Sequence, residues 1–202
     1  ELRTPLTSIR SFSEILLDNP DLDPAQRQEF QRIIIRETER LTRLINQLLD
    51  LAKIQSGQIV YEIADVDLEG VIRDAAAATG QLFRAKGVTL EVPVALGNPI
   101  VRGDRDLLTQ VLLNLLSNAV KFCPADAGKV TLDLAEQGEW LLLRVADNGP
   151  GIPPAHRESI FDRFHQVSDA LTGKPPGTGL GLTICRMMLR QLGAEIWAGA
   201  AP

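Results

Sequence analysis

DNGPGI at residues 147–152 and GTGLGL at residues 177–182 are two glycine-rich segments that decide how this part of the chain folds. Between them run about 25 residues with little periodic hydrophobicity, and loops this long inside compact domains are usually lids or binding loops. Glycine lets a backbone approach a ligand closely and leaves N–H groups free to bind anionic oxygens. The pattern predicts a phosphate-bearing ligand under a mobile lid, although GTGLGL does not match the G-x-G-x-x-G dinucleotide fingerprint.

The overall composition is that of an ordinary globular protein, because 45% of the 202 residues are hydrophobic and 23% are charged. The net charge of −5 and the lack of a clustered basic patch argue against a nucleic-acid surface. Cys123 and Cys185 lie far apart in apolar helical contexts, which favours buried free thiols in a reducing compartment over a disulfide. No apolar run approaches the ~18 residues of a transmembrane helix. We therefore expect a cytoplasmic chain that meets a membrane only through segments outside it.

The N-terminal part of the chain predicts a helical hairpin. An amphipathic helix over residues 2–16 is followed by a turn, after which Asp23 supplies an N-cap and Pro24 the first helical position. The second helix is predicted to end at Gln55, and its apolar residues follow heptad spacing at Phe30, Ile34, Leu41, Leu44, Leu48 and Leu51. Pairing with a second copy would complete this narrow seam as a dimeric four-helix bundle. The alternative is an intramolecular helix pair that packs on the rest of the chain.

Ser56-Gly57 ends the hairpin and divides the chain into two predicted domains, residues 1–56 and residues 57–202. Beyond the boundary short strands alternate with helices, which indicates an α+β fold with a two-layer α/β sandwich. We predict strands at 59–63, 88–92, 99–102, 129–134, 140–146 and 194–198, and helices at 67–85, 104–122 and 180–192. The fourth and fifth of these strands are expected to form a hairpin.

The helix that Asp104 is predicted to cap is apolar around most of its circumference. Its remaining face carries Asn114, Asn118 and Lys121, which spacings of four and three place within about 40° of one another. Asparagine is a poor helix former, so two of them in mid-helix need a reason. One interpretation is a narrow solvent-facing stripe. The other is a site in which amide oxygens bind Mg²⁺ and the lysine offsets phosphate charge.

Other candidate groups have more than one interpretation. Asp147 follows a strand and either stabilises the next turn or accepts a hydrogen bond from an exocyclic amine such as that of adenine. Phe161 and Phe164 are either a hydrophobic latch or ordinary packing. His156 and His165 have no Cys or carboxylate at ligand spacing, so we interpret both as surface or lid residues.

Five ordered motifs resemble those of bacterial sensor histidine kinase catalytic cores over essentially the whole chain. ELRTPL (residues 1–6) is similar to the H box without its first residue, and NLLSNAVKF (residues 114–122) is similar to the N box. DNGPGI resembles the G1 box, IFDRF (residues 160–164) the F box, and GTGLGL the G2 box. The resemblance implies a dimerisation and histidine-phosphotransfer hairpin, followed by an ATP-binding sandwich of the GHKL type with the Bergerat fold. It also implies autophosphorylation with ATP and transfer to an Asp in the receiver domain of a response regulator.

The same resemblance implies roles for individual residues. Asn118 would coordinate Mg²⁺, Asn114 would lie beside the metal and the triphosphate, and Asp147 would recognise adenine. Glu1 would orient or deprotonate the attacking imidazole, and Thr4 would position water when phosphate is removed from the regulator. The residues expected to contact or shape the nucleotide site are Asn114, Asn118, Lys121, Phe122, Asp147, Gly149, Gly151, Ile152, Gly177, Thr178, Gly179, Leu180 and Gly181. Asn114 joins Glu1 and Thr4 as an expected catalytic residue.

Two departures from the family pattern bear on function. The phosphoacceptor His expected immediately before Glu1 is not in this chain, and neither His156 nor His165 replaces it by motif. We therefore expect that this polypeptide does not autophosphorylate. The family's closing turn and last strand are absent after Pro202, so we expect an exposed sheet edge unless a parent protein supplies those residues. The alternatives are a GHKL-type ATPase, which usually has a Glu base at the position of Asn114, and a nucleotide-binding pseudokinase or dimerisation scaffold.

Overall fold

The computed structural model describes residues 2–57, 60–92, 99–167 and 177–200. Glu1 and Ile59, which the sequence predictions include, lie outside the described residues. The chain divides into two compact units, Glu1–Gln58 and Ile59–Pro202. Within the described ranges, no helix combines the length and the apolar character needed to cross a membrane.

The first unit is a hairpin of two helices, α1 (Arg3–Asp18) and α2 (Pro24–Gln55). Asp23 caps α2 as predicted, because its carboxylate accepts hydrogen bonds from two N–H groups of the first turn at 3.0 and 3.3 Å. Near the connection between the helices, the ring centres of Phe12 and Phe30 are 5.1 Å apart. Leu44 and Leu51 of the predicted seam are buried. The heptad pattern therefore identifies the inward side of α2.

The second unit alternates strands and helices. Its described elements are β1 (Ala64–Asp67), α3 (Leu68–Lys86), β2 (Thr89–Glu91), β3 (Ile100–Gly103), α4 (Arg105–Phe122), β4 (Lys129–Gln137), β5 (Trp140–Asp147), the 3-10 turns η1 (Pro154–His156) and η2 (Ser159–Phe161), and α5 (Gly181–Gln191). β2 pairs in parallel with β4, and β4 pairs antiparallel with β5. β1 and β3 form a separate antiparallel pair. The α+β class predicted from the sequence is confirmed.

The core of the second unit lies between the three-stranded sheet and the helices α3 and α4. β4 shows the alternation of a half-buried strand, because Val130, Leu132 and Leu134 are buried and the residues between them are more exposed. The helices contribute buried apolar residues to the same cluster, among them Val71, Ile72, Ala75, Leu112 and Leu116. This two-layer packing leaves the polar side of α4 outside the core.

Two predicted strands are wrong. Residues 60–63 are not a strand, and pairing instead occupies β1, whose Val66 is buried beside β3. The prediction was based on local apolar content. Strand formation depends more on cross-strand partners and burial. Residues 194–198 also lack strand structure, and Trp197 is 62% exposed. No strand in the described ranges pairs with this segment, so its backbone forms no inter-strand hydrogen bonds there.

Candidate functional site

Helix α4 carries the polar face that the sequence predicts. Asp104 fixes the start of the helix, because its Oδ1 accepts hydrogen bonds from two N–H groups of the first turn at 3.0 and 3.1 Å. Its Oδ2 accepts a third from Glu62 N at 3.0 Å. With one face of the helix buried in the core, Asn114, Asn118 and Lys121 remain half-buried. Partial burial leaves these polar groups accessible to a ligand.

The second glycine-rich turn lies against Asn114. A methyl group at Gly181 would lie 2.7 Å from Asn114 Oδ1 and 2.9 Å from Nδ2, so the Asn114 amide can keep this position only beside a glycine. Asn114 Nδ2 donates a hydrogen bond to Cys185 Sγ at 3.0 Å. The amide is therefore held between the first residue of α5 and a thiol one turn later.

Lys121 lies beside the beginning of the same turn. A methyl group at Gly177 would lie 3.2 Å from Lys121 Nζ, and Nζ is 5.1 Å from the centre of the Phe122 ring. The carbonyl of Gly177 accepts a hydrogen bond from Gln166 Nε2 at 3.1 Å. A cation and the backbone of a glycine turn thus meet at one place, which suits an anionic ligand.

The first glycine-rich turn lies against the C-terminal end of α4, one residue beyond Lys121. A methyl group at Gly149 would lie 2.9 Å from the carbonyl oxygen of Phe122, the last residue of the helix. Asp147 Oδ1 accepts a hydrogen bond from Gly149 N at 2.9 Å, which is one of the two roles predicted for this carboxylate. Asn148 binds two backbone groups beside the start of β4 at 2.8 and 3.0 Å. These contacts fix the turn relative to both α4 and the sheet.

The IFDRF segment contacts the second glycine-rich turn through its backbone. Phe161 is 2% exposed, so its side chain packs in the interior. Phe164 is 46% exposed and lies at the surface. Phe164 N donates to Gly179 O at 2.9 Å. Both residues have positive φ, 60° and 68°, and a methyl group at Gly179 would lie 2.7 Å from Phe164 Cα. Glycine is therefore required for this contact.

Arg186 on α5 ties the IFDRF segment to the helix. It donates to Glu158 Oε1 at 2.9 Å, to Asp162 Oδ1 at 3.2 Å and to Phe161 O at 3.3 Å. The Arg186 side chain is only 19% exposed, whereas Glu158 and Asp162 are 89% and 63% exposed, so water partly screens the two carboxylate bonds and only the bond to Phe161 O is partly buried. Gly181 and Cys185 of α5 also contact Asn114 of α4. Helix α5 therefore contacts both the IFDRF segment and α4, on either side of the second glycine-rich turn.

The two cysteines are buried thiols that are not joined in a disulfide, as predicted. Burial raises the pKa of the Cys185 thiol to about 11, so it is neutral beside Asn114. Burial, followed by the charge of Asp147, raises the pKa of the Cys123 thiol. A nucleophilic cysteine needs a lowered pKa, so these environments suit packing and hydrogen bonding.

The structure brings the predicted site residues of the second unit together in three contacts. These pair Asn114 with Gly181, Lys121 with Gly177 and Phe122 with Gly149. The other predicted residues of the turns are Gly151 with a positive φ of 72°, half-buried Ile152, buried Leu180, and Thr178, whose Oγ1 accepts from Leu180 N at 3.3 Å. In the first unit Thr4 is exposed on α1.

Sequence reasoning misses three residues of this site, namely Asn148, Cys185 and Arg186. Their bonds reach other segments of the second unit, and no spacing in the sequence signals them. It also misses that His156 and His165 lie together, with ring centres 5.5 Å apart. Within the described ranges no three His, Cys, Asp or Glu side chains form a group able to hold a metal ion.

The donor chemistry of α4 fits a divalent cation that takes few ligands from the protein. Asn114 and Asn118 offer amide oxygens, which are hard donors suited to Mg²⁺. Mg²⁺ usually keeps several waters and takes further ligands from phosphates, so a carboxylate cage is not needed. Lys121 and the glycine turn lie together and could offer positive charge and N–H groups to such phosphates.

Two family models match this chain. Residues 103–202 match the model described as histidine kinase-, DNA gyrase B- and HSP90-like ATPase. Residues 1–57 match the His Kinase A (phospho-acceptor) domain. Together the two matches take in more than three quarters of the chain.

Individual relatives extend over nearly the whole chain. Sensor histidine kinase WalK of Bacillus subtilis (strain 168) is 38% identical over 206 residues, covering 98% of this chain and 32% of WalK. Full-length ShkA in complex with AMPPNP is 32% identical with a TM-score of 0.73, covering 98% of this chain and 41% of that one. ThkA in complex with the response regulator TrrA is 25% identical with a TM-score of 0.80, covering 98% and 54%. The chain spans about a third or less of the length of the curated relatives it matches.

Proposed function

Since this chain belongs to the histidine kinase family, whose ATPase-like and phospho-acceptor domain models it matches in order, we propose that it is the catalytic core of an ATP-dependent sensor histidine kinase. Such a core transfers the γ-phosphate of ATP to a histidine and then to an Asp in the receiver domain of a response regulator. The solved complex of its structural relative ThkA with the regulator TrrA supports this choice of partner. We propose a cytoplasmic location within a larger sensor protein.

The observation that carries the proposal is the approach of both glycine-rich turns to one helix. Gly149 packs on the last residue of α4, and Gly181 packs on Asn114 two turns earlier. One turn holds a carboxylate, Asp147, and the other begins beside a lysine, Lys121. An elongated ligand with a base at one end and phosphates at the other fits this division of chemistry.

Each residue has a definite role in this proposal. The second oxygen of Asp147, Oδ2, accepts a hydrogen bond from the exocyclic amine of adenine, while Oδ1 stays with Gly149. Asn118 would hold Mg²⁺, and Asn114 would lie on the same side of the helix toward the triphosphate. When bound, Mg²⁺ would offset the negative charge of the phosphates. Lys121 contributes further positive charge as a flexible point cation.

Calorimetric titration of the chain with ATP in the presence of Mg²⁺ tests the nucleotide site. Asp147→Asn replaces an acceptor oxygen with an amide and should weaken ATP binding by about tenfold or more, because the adenine amine loses its partner. Asp133→Asn is the matched control, since Asp133 is half-buried on β4 and pairs with Arg144 at 3.1 Å. Undetectable ATP binding by the unmodified chain, or equal losses in both variants, would contradict the proposal.

From the resemblance of residues 1–6 to the H box, we propose that the phosphate acceptor is a histidine at the position before Glu1, whose carboxylate would hold the far N–H of the attacking imidazole. This polypeptide does not autophosphorylate in our proposal, because both of its histidines lie in the ATPase-like unit, at His156 and His165. Adding one His before Glu1 should give acid-labile phosphate from radiolabelled ATP. The unmodified chain should give none. If the extended chain binds ATP but takes up no label, the alternative of a nucleotide-binding scaffold is preferred.

Thr4, exposed on α1, is proposed to position water when phosphate is removed from the regulator. Thr4→Ala in the His-extended chain should keep phosphotransfer to a receiver domain and lose its dephosphorylation. Equal rates of dephosphorylation with and without the hydroxyl would refute this role.

A second copy of the hairpin is the proposed partner of α2. Ile35, Ile45 and Leu49 are 58%, 45% and 53% exposed, and their spacing places them on one stripe of the helix. Burial of this stripe in a homodimer would remove apolar area from water. Light scattering should give twice the chain mass, and Ile45→Glu should give a folded monomer by circular dichroism. A monomeric unmodified chain would exclude the dimer.

A further inference from the structure

The nucleotide-facing end of α4 lacks the glycine that commonly closes a helix. The helix ends at Phe122, and Cys123 follows with extended angles of φ −57° and ψ 148° before Pro124. Its N–H still donates to Ala119 O. The later carbonyls of a helix have no partner within the helix and need donors from elsewhere. Because this end is packed against other segments, such donors are required to avoid unsatisfied carbonyls.

Lys86, in the last turn of α3, supplies these donors. Its Nζ donates to Val120 O at 2.6 Å and to Lys121 O at 2.9 Å. Both bonds are partly buried, and a cation at the negative end of a helix is favourable. The contact joins residues 34 and 35 positions apart in sequence. An ammonium group from one helix therefore caps another.

The backbone around Lys86 reinforces the same attachment. Its carbonyl accepts a hydrogen bond from Asp126 N at 3.1 Å. At the next residue, Gly87, a methyl group would lie 2.4 Å from Asp126 Oδ1 and 3.0 Å from its Cα. The end of α3 thus holds both the last turn of α4 and the loop that follows it.

The carbonyls that Lys86 binds lie between the proposed metal residue Asn118 and the first glycine-rich turn. Lys121 is itself a proposed phosphate contact, and the carbonyl of Phe122 lies against Gly149. We propose that Lys86 is a positioning residue for nucleotide binding, which acts by capping the last turn of α4 rather than by touching the nucleotide. This inference rests on the proposed function, because it concerns the same nucleotide site.

Loss of the cap should act through the population of the ordered turn. A helix end without donors opens more often, and the apparent dissociation constant rises in proportion to the decrease in the binding-competent fraction. If the ordered fraction falls to about one tenth, binding weakens about tenfold. The effect should appear in amide exchange of residues 121–123 and in nucleotide affinity together.

The test compares Lys86→Met with Lys129→Met in the full chain. Each substitution removes one lysine charge from the same unit, but Lys129 forms a surface pair with Glu91 at 2.9 Å and caps no helix. Calorimetry with ATP and Mg²⁺ should show about tenfold weaker binding for Lys86→Met and unchanged binding for Lys129→Met. Hydrogen exchange should accelerate at residues 121–123 in Lys86→Met alone. Lys86→Arg, which keeps N–H donors and charge, should restore both properties.

Two results would overturn the role of Lys86. One is an ATP affinity of Lys86→Met equal to that of the unmodified chain, and the other is an equal rate of hydrogen exchange at residues 121–123. If Lys86→Met does not fold, Lys86→Ala carries the same test, because it removes the N–H donors without placing a long apolar side chain against the two carbonyls, and it should show the same weaker binding and faster exchange. An absence of ATP binding in the unmodified chain would instead overturn the proposed function. Exchange in Lys86→Met would still decide whether the cap exists, so the two failures are distinguishable.

Discussion

Replacement of Gly181 by alanine should separate stability from nucleotide binding. The added methyl group would lie 2.7 Å from Asn114 Oδ1, and an ordinary contact begins near 3.4 Å, so the amide oxygen would have to move by about 0.7 Å. The atoms in the way belong to the end of a side chain, and a rotation of Asn114 can relieve the clash without moving the backbone. The same rotation would disturb the 3.0 Å hydrogen bond to Cys185 Sγ.

The two consequences have different sizes. Alanine is a better helix former than glycine by about 1 kcal/mol in a helix interior and by less at a first position such as residue 181, so it partly offsets the lost hydrogen bond of about 1 kcal/mol. The unfolding free energy should therefore change by less than about 1 kcal/mol. By contrast, misplacement of a ligand-contacting group by a large part of 1 Å can cost about a hundredfold in function. We expect ATP binding with Mg²⁺ to weaken by about tenfold to a hundredfold.

Urea unfolding and calorimetric titration measure the two quantities. Gly199→Ala is the matched control, because a methyl group there would meet no atom within 4 Å. It should leave both the unfolding free energy and the affinity unchanged. If Gly181→Ala binds ATP as tightly as the unmodified chain, Asn114 does not act at the phosphate end of the site. A large loss of stability would show that the clash is relieved through the backbone, which would contradict the proposed rotation of Asn114.

Three further perturbations follow from the same contacts. Gly179→Ala would place a methyl group 2.7 Å from Phe164 Cα at a φ of 68°. We expect urea unfolding to show a decrease in the unfolding free energy of about 2 kcal/mol or more. An unchanged urea midpoint would contradict this. Arg186→Met removes bonds at 2.9 and 3.2 Å to Glu158 and Asp162. We expect the unfolding free energy in the same assay to fall by about 1 to 2 kcal/mol. A change near zero would mean that solvent screens these ion pairs completely. Burial raises the pKa of Cys185 from 9.0 to about 11, so its contribution to stability is complete below pH 9 and is lost as the pH rises toward 11. Stability of a Cys185→Ala variant should therefore fall less over that range, and parallel declines would refute this.

Helix boundaries could be read from the sequence because their signals are local. Asp23 and Pro24 predict the start of α2, and the structure confirms both the cap and the first residue. Asp104 predicts the start of α4 for the same reason. An N-cap involves a side chain and backbone groups two or three residues away, so no distant segment decides it. The polar face of α4 is equally local, since it follows from helical spacing.

Strands and site contacts could be read only in part, because they depend on distant partners. Residues 60–63 look more strand-like than β1 by composition, yet pairing with β3 selects β1. The sequence predicts that glycine matters at Gly149 and Gly181 but not which atoms approach them. Arg186 binds residues 24 to 28 positions earlier, and no spacing rule covers such a bond. The types of residue expected at a phosphate site could therefore be predicted from the sequence. The long-range contacts that hold those residues in place could not.

Helix α4 sets the separation between the two ends of the proposed nucleotide site. Gly181 approaches it at Asn114 and Gly149 approaches it at Phe122, eight residues apart, which is about 12 Å along a helix axis. An α-helix has a fixed rise, so a ligand that contacts both Asn114 and the turn at Gly149 must span this length. This spacing holds only while the last turn of α4 stays helical. Fraying there would shift Phe122 at the base end of the site and Lys121 beside Gly177, while Asn114, two turns inside the helix, would stay in place.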